Sequence, residues 1–347
     1  MPELRKDPVT REWVIIATER SKRPEDFRRE PEEQREEFCP FCPGNESCTP
    51  PEIVAFRPAG QPRDVPGWWV RVVANMYPAL SIEGPLGKSG RGMYDKMNGI
   101  GAHEVIIETP DHDETLATMT TKQIEDVVWA YRQRYQDLRR DPRMKYVLIF
   151  KNHGRRAGAS RSHPHSQLIA TPVVPREVRD EIDGVTFYQQ FRDRCVYCDM
   201  VAQELQEGER VIFENEDFVA FEPFASRYPY ETWIVPKQHQ NSFAAMQDSE
   251  HASFAKALKE VLLRIRICLQ DPPYNYMLHT SPCDAENSDV IHWHLEVVPR
   301  LTIAAGFEMG TRIYINVTPP EKAAADLRAV EIAAVPAQTA DSQKGMP

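Results

Sequence analysis

The chain has 347 residues, 41% of them hydrophobic, with 42 lysines and arginines against 52 acidic residues and a formal net charge of −10. That length suits two domains or one large two-part core, and the acidic balance argues against nucleic acid as a partner. No apolar run approaches a membrane-spanning length and none follows a basic start, so a cytoplasmic protein with no membrane partner is expected.

Residues 3–18 form a strand-like entry whose first buried run is Trp13-Val14-Ile15-Ile16-Ala17. Arg20-Ser21-Lys22-Arg23-Pro24 follows, then a Glu/Arg-rich stretch to Glu37 that reads as a solvated loop; charge pattern alone leaves Arg20 and Arg23 open between solvated surface and a functional contact. Cys39-Pro40-Phe41-Cys42-Pro43-Gly44 is a knuckle: two thiols three positions apart, followed by turn residues, can grip one metal ion from adjacent directions. Seven cysteines include a second such pair, Cys195 and Cys198, and leave Cys48, Cys268 and Cys283 over; the odd count favours metal ligands over a disulfide framework. Trp68 to Ala74 is a buried strand ending in the turn at Asn75-Met76-Tyr77-Pro78. His103 to Glu108 is another strand, with His112 just past the turn at Pro110. Ile124, Val127, Val128, Tyr131, Tyr135 and Leu138 lie on one face of a helix over 121–140 that should cover the sheet.

The stretch from Lys145 to Pro175 is the most informative. An apolar strand, Tyr146 to Phe150, gives way to Asn152-His153-Gly154 and Gly158-Ala159-Ser160, then to His163-Pro164-His165-Ser166-Gln167 and a second apolar run. A small-residue loop between two strands can present backbone N–H groups and a hydroxyl to a phosphate. Side chains alternate along a strand, so His165 and Gln167 share one face and His163 takes the other. A neutral imidazole at 165 can attack phosphorus while the amide of Gln167 holds a phosphoryl oxygen. Ordinary hydrogen-bonded core histidines are the plainer alternative. His112 and His163 can complete a four-ligand site with Cys39 and Cys42, which has no open position and therefore suits a structural zinc.

From about residue 190 the order of events begins again. Cys195-Val196-Tyr197-Cys198 answers the first pair, Phe218 to Ala225 the Asn75 turn, and Thr232 to His239 the strand and His at 103–112. A helix with Phe254, Leu258, Val261, Leu262, Ile265 and Leu269 on one face follows, then a strand from Tyr274 to His279 and finally His292-Trp293-His294-Leu295-Glu296. His112 and His163 are 51 positions apart, His239 and His292 are 53. The expected fold is α+β: two half-barrel repeats of antiparallel sheet with helices packed against it, over residues 1–187 and 188–335, and a frayed tail over 336–347.

His-Pro-His-Ser-Gln after a Gly-Ala-Ser loop resembles the active-site signature of the galactose-1-phosphate uridylyltransferase branch of the histidine-triad superfamily, and the likeness runs from Arg5-Lys6-Asp7-Pro8 to Gly306-Phe307-Glu308. The resemblance implies a nucleophile at His165 with Gln167 where hydrolase relatives carry a histidine, and phosphoryl oxygens held by Gln167, Asn152 and Ser160. It implies phosphate contacts from Arg20 and Arg23 across a homodimer interface, nucleoside contacts from Asn75 and Tyr77, and a hexose contact from Glu308. Met76 stands where well-known members carry an aspartate, and Thr302 near a lysine they use. Two second metal sites compete: zinc on Cys195, Cys198, His239 and His292, or the iron site of some members on Glu177, His279, His292 and His294. The implied activity is uridylyl transfer from UDP-glucose to a hexose 1-phosphate, in galactose metabolism, through a uridylyl-histidine. A plant branch that resembles the chain along both halves implies adenylyl transfer from ADP-glucose to orthophosphate instead, and a zinc-stabilised nucleotide-binding module without turnover is the alternative of another class.

Overall fold

A computed structural model describes residues 1–20, 23–27, 38–285 and 291–332; the expected tail at 336–347 and most of the Glu/Arg-rich stretch lie outside these. Ten strands make one sheet. In chain order they are β1 (Glu52–Phe56), β2 (Val70–Ala74), β3 (Ala102–Ile107), β4 (Tyr146–His153), β5 (His165–Thr171), β6 (Val211–Glu214), β7 (Phe218–Phe221), β8 (Thr232–Pro236), β9 (Tyr274–His279) and β10 (His294–Pro299). Across the sheet the order is β6-β7-β8-β10-β9-β4-β5-β3-β2-β1, with every pairing antiparallel. The two halves therefore repeat one order about the central pair β4 and β9, where Tyr274 lies opposite His153 and Leu278 opposite Ile149. The duplication read from motif spacing is this symmetry, and its edges are joined by main-chain hydrogen bonds.

The helices α1 (Thr121–Leu138) and α4 (His251–Leu269) lie on one face of the sheet and bury the apolar stripes predicted for them. A capping box starts α1: the Thr120 hydroxyl accepts from the Gln123 N–H, and the Gln123 side chain accepts from the Thr120 N–H. Strand alternation turns Leu168 and Ala170 into this core and leaves His165 and Gln167 on the opposite face.

That opposite face is covered differently in the two halves. In the second half, α2 (Arg176–Arg192) and α3 (Val196–Glu207) place Val185, Val196, Tyr197 and Val201 against Val219, Phe221, Trp233 and Val235. In the first, no helix of that length packs there among the described residues; the Cys39–Cys42 knuckle does, with Phe41 and Trp68 against Val73, Val105 and Ile107. The sequence pattern predicts one helix per half; α2 and α3 are additional, and mixed charge along α2 conceals its apolar side. The run at Trp13–Ile16 is indeed a strand, but it belongs to a separate three-stranded sheet with Glu3–Lys6 and Tyr314–Asn316.

Helix α2 is seated by Gly184, where a Cβ would come within 1.8 Å of the Val9 carbonyl oxygen. Gly184→Ala should therefore destabilise the protein by about 1–3 kcal/mol, read as a lowered midpoint in thermal unfolding.

Candidate active site and metal centres

Strand β5 begins at His165, immediately after Pro164, so the two histidines of the motif straddle the sheet edge of the loop. His163 is fully buried, and its Nε2 lies 2.8 Å from the Thr109 carbonyl oxygen. A carbonyl cannot donate, so the proton sits on Nε2 and Nδ1 keeps its lone pair. That Nδ1 lies 3.5 Å from Cys42 Sγ, and His112 Nδ1 lies 3.3 Å from the same sulfur. Cys39, Cys42, His112 and His163 thus bring one ligand atom each to a common point, the donor set expected. His112 Nε2 is held at 3.0 Å from the Ser162 hydroxyl, the outer hydrogen bond that orients a ligating imidazole. Burial pushes His163 down to about 4, so it is neutral and fit to coordinate.

His165 hangs on the same element. Its Nδ1 donates to the His163 carbonyl oxygen at 2.8 Å, which leaves Nε2 with an available lone pair. Burial, then the neighbouring Lys151 ammonium, hold its pKa below the ordinary imidazole value, and Phe41 meets the ring at 5.4 Å. The ring is a neutral base with one nitrogen committed and one not.

Gln167 is oriented by a residue that sequence spacing did not mark. The Ala79 N–H donates to His103 Nδ1 at 3.2 Å, and a backbone donor cannot be reversed, so the proton of His103 is on Nε2. That nitrogen donates to Gln167 Oε1 at 2.8 Å. With Oε1 occupied, Gln167 presents its NH₂ group beside His165. His103 opens an ordinary apolar strand pattern, and nothing in the sequence separates it from a strand-edge histidine.

Other candidates are placed unevenly. Asn152 accepts from Asn275 Nδ2 at 2.8 Å, and the same group donates to the Ala157 carbonyl at 2.7 Å, so the second half holds the loop of the first. The N–H groups of Ala157, Gly158 and Ala159 are spent on carbonyls inside the loop, contrary to the expectation that they face a phosphate; the exposed Ser160 hydroxyl stands beyond them. Gly154 and Gly158 have φ of 78° and 90°, which lets the loop turn this tightly. Tyr77 is exposed beside Asn75. Arg23 lines a cavity with Cys268, Lys322 and Asp326, away from His165, and the side chain of Arg20 lies outside the described residues. Glu308 accepts from the Ala305 N–H at the start of its own short helix, also apart from His165.

The second half repeats the first centre: Cys195, Cys198, His239 and His292 converge, with Cys198 Sγ 3.6 Å from both imidazole Nδ1 atoms. The alternative set on Glu177 does not form. Glu177 pairs with Arg312 at 2.8 Å, His292 faces the thiols, and the carboxylate beside His279 and His294 is Glu181, one helical turn further along α2. The spacing allows either glutamate; the seating of α2 on β9 decides. His294 and Glu296 occupy the places of His165 and Gln167, but Glu296 is tied to Arg227 at 2.6 Å and to His279 at 3.1 Å. Against burial, Glu181 and Glu296 hold His279 up to about 10.

Comparisons with known proteins fit this geometry. The family model described as galactose-1-phosphate uridyl transferase, N-terminal domain, matches residues 1–175, and a model described as a domain of unknown function, DUF4921, matches 101–336. The chain belongs to the galactose-1-phosphate uridyl transferase family. It is 40% identical to an ADP-glucose phosphorylase of Arabidopsis thaliana, covering 95% of this chain and 93% of that one, and 33% identical to a galactose-1-phosphate uridylyltransferase of Thermotoga maritima, covering 96% and 99%. A crystal structure of an ADP-glucose phosphorylase from A. thaliana with bound ADP-glucose superposes with a TM-score of 0.82 at 38% identity, covering 96% of this chain and all of that one. Relatives of both kinds are enzymes of one nucleotidyltransferase family, and so is this chain. No helix among the described residues is long and apolar enough to cross a membrane.

If both Cys/His clusters hold metal, elemental analysis should find about two equivalents per chain, and Cys42→Ser and Cys198→Ser should each remove about one while lowering the unfolding temperature.

Proposed function

We propose that the chain transfers a nucleotidyl group from a nucleotide sugar to a phosphorylated acceptor by double displacement at His165, with UDP-glucose as donor and a hexose 1-phosphate as acceptor. The observation that carries this is the uncommitted Nε2 of a neutral His165, with Nδ1 tied to the His163 carbonyl. His165 Nε2 attacks the α-phosphorus, an N–P bond forms, and the P–O bond to glucose 1-phosphate breaks. A phosphate oxygen of galactose 1-phosphate then attacks the same phosphorus and returns the lone pair to Nε2, releasing UDP-galactose. The Gln167 NH₂ group donates to a non-bridging oxygen in both steps. A departing sugar phosphate is a weak base, so an amide suffices where a stronger leaving-group demand calls for an acid.

Cys39, Cys42, His112 and His163 would hold one zinc ion and Cys195, Cys198, His239 and His292 a second; with all four positions filled, the metal supplies rigidity. Arg23 and Glu308 lie apart from the His165 of their own chain, which supports a homodimer in which Arg20, Arg23 and Glu308 serve the partner's site. A cytoplasmic setting is part of this proposal, with both Cys pairs given to metal clusters, and the hexose acceptor gives it a role in galactose metabolism.

One observation favours a second reading within the same chemistry: the 40% identity to an ADP-glucose phosphorylase supports ADP-glucose as donor and orthophosphate as acceptor. Purified protein given UDP-glucose or ADP-glucose, with galactose 1-phosphate or orthophosphate, should turn over one pairing at least about tenfold faster than the others. A radiolabelled nucleotidyl adduct should form on the unsubstituted chain, and its absence would leave a nucleotide-binding module. His165→Gly should lower turnover by about 10³-fold or more. His103→Ala, which releases the Gln167 amide, should lower kcat about tenfold with donor KM nearly unchanged.

A further inference from the structure

Beneath His165, on the helix-facing side of the sheet, lies a buried polar cluster that the proposed chemistry does not use. Lys151, on β4, donates from Nζ to Glu108 Oε2 at 2.6 Å and to the carbonyl oxygen of His165 at 3.0 Å. Glu108 Oε1 accepts from the Ser166 hydroxyl at 2.6 Å and from the Tyr131 hydroxyl at 3.3 Å, and Tyr131 also bonds Ser166 and Tyr276. Lys151, Glu108, Ser166, Tyr131 and Tyr276 are all at most 2% exposed. A buried ion pair of this kind gains little net stability, because desolvation of both charges offsets their attraction.

The other half of the molecule serves as an internal control. Phe150 lies opposite Gln167, and Met277 opposite Glu296, so the next residues, Lys151 and Leu278, correspond. Val105 lies opposite Gln167, and Trp233 opposite Glu296, so three positions later Glu108 corresponds to Pro236. Ser166 corresponds to Leu295. Leu278, Pro236 and Leu295 are buried in the same sheet geometry and carry no charge or hydroxyl. The fold thus accepts an apolar trio at these places, and the polar trio stands only under the histidine whose partner is Gln167. In the second half the ring-to-carbonyl contact, His294 Nδ1 to the His292 oxygen, is 3.2 Å instead of 2.8 Å.

We infer that Lys151 and Glu108, with Ser166, are positioning residues for the nucleophile: they pin the His165 carbonyl and the adjoining side chain from the core, and so fix the direction of His165 Nε2. The inference rests on the nucleotidyl transfer proposed above. Removing both charges together avoids stranding either one, so the test is the paired variant Lys151→Leu/Glu108→Leu, with Ser166→Ala as a milder partner. Each is compared with the unsubstituted chain in thermal unfolding, steady-state kinetics and single-turnover formation of the labelled adduct from the better nucleotide sugar. The expected result is a folded double variant melting within a few degrees of the unsubstituted chain, with kcat and the adduct rate down about tenfold or more and donor KM within about twofold. Ser166→Ala should show the same split at about threefold. A folded double variant with an unchanged adduct rate overturns the inference, and so does one that cannot fold, since the pair would then serve the fold. An unsubstituted chain that forms no adduct removes the proposed reaction and this inference with it.

Discussion

One hydrogen bond joins the two functions of the central motif: His165 Nδ1–H to the carbonyl of His163. His163 lies against the Cys42 thiol of the knuckle and the Thr109 carbonyl, so an ion held by Cys39, Cys42, His112 and His163 would also fix the carbonyl that selects the tautomer of His165. The nucleophile proposed at His165 needs its attacking nitrogen unprotonated and its ring aimed, and this one contact serves both. The rest of the first half is arranged about it: Phe41 against the ring, His103 turning the Gln167 amide, and Asn275 reaching from the other half to hold the loop.

Duplication explains the architecture and also how the two sites diverged. Both halves keep the strand order and the Cys/His cluster, because each cluster ties a knuckle to the strand that carries the paired histidines. They differ at one face and at one buried layer. In the second half α2 and α3 close over the open face, and Glu296 pairs with Arg227 and His279 while Glu181 pairs with His279, where the first half offers an amide and an imidazole. Glutamate at 296 alone makes that place unsuited to a phosphate, since its charge repels the ligand and is already engaged.

Much of this was legible in the chain. Apolar periodicity located α1, α4 and most strands, because their buried stripes are uninterrupted. Two Cys pairs, with His112, His163, His239 and His292 at nearly equal spacing, pointed to two four-ligand clusters. Other features were hidden. His103 looks like any residue at the start of a strand, and the proton placement that makes it orient Gln167 depends on the Ala79 N–H, 24 positions away. Helix α2 has too mixed a charge pattern to announce its apolar side, and with it the choice of Glu181 over Glu177 was out of reach.

By itself the sequence determined which side chains alternate to which face of β5, which cysteines and histidines can meet, and that the chain is a repeat; these follow from local periodicity and spacing, set by backbone geometry. Only the tertiary structure decided which glutamate faces His279, which nitrogen of His165 keeps its lone pair, and that a buried Lys151–Glu108 pair lies under one nucleophile-like histidine and not the other. Those depend on registers between strands and on the seating of a helix across a sheet, where a shift of one residue exchanges one face for the other.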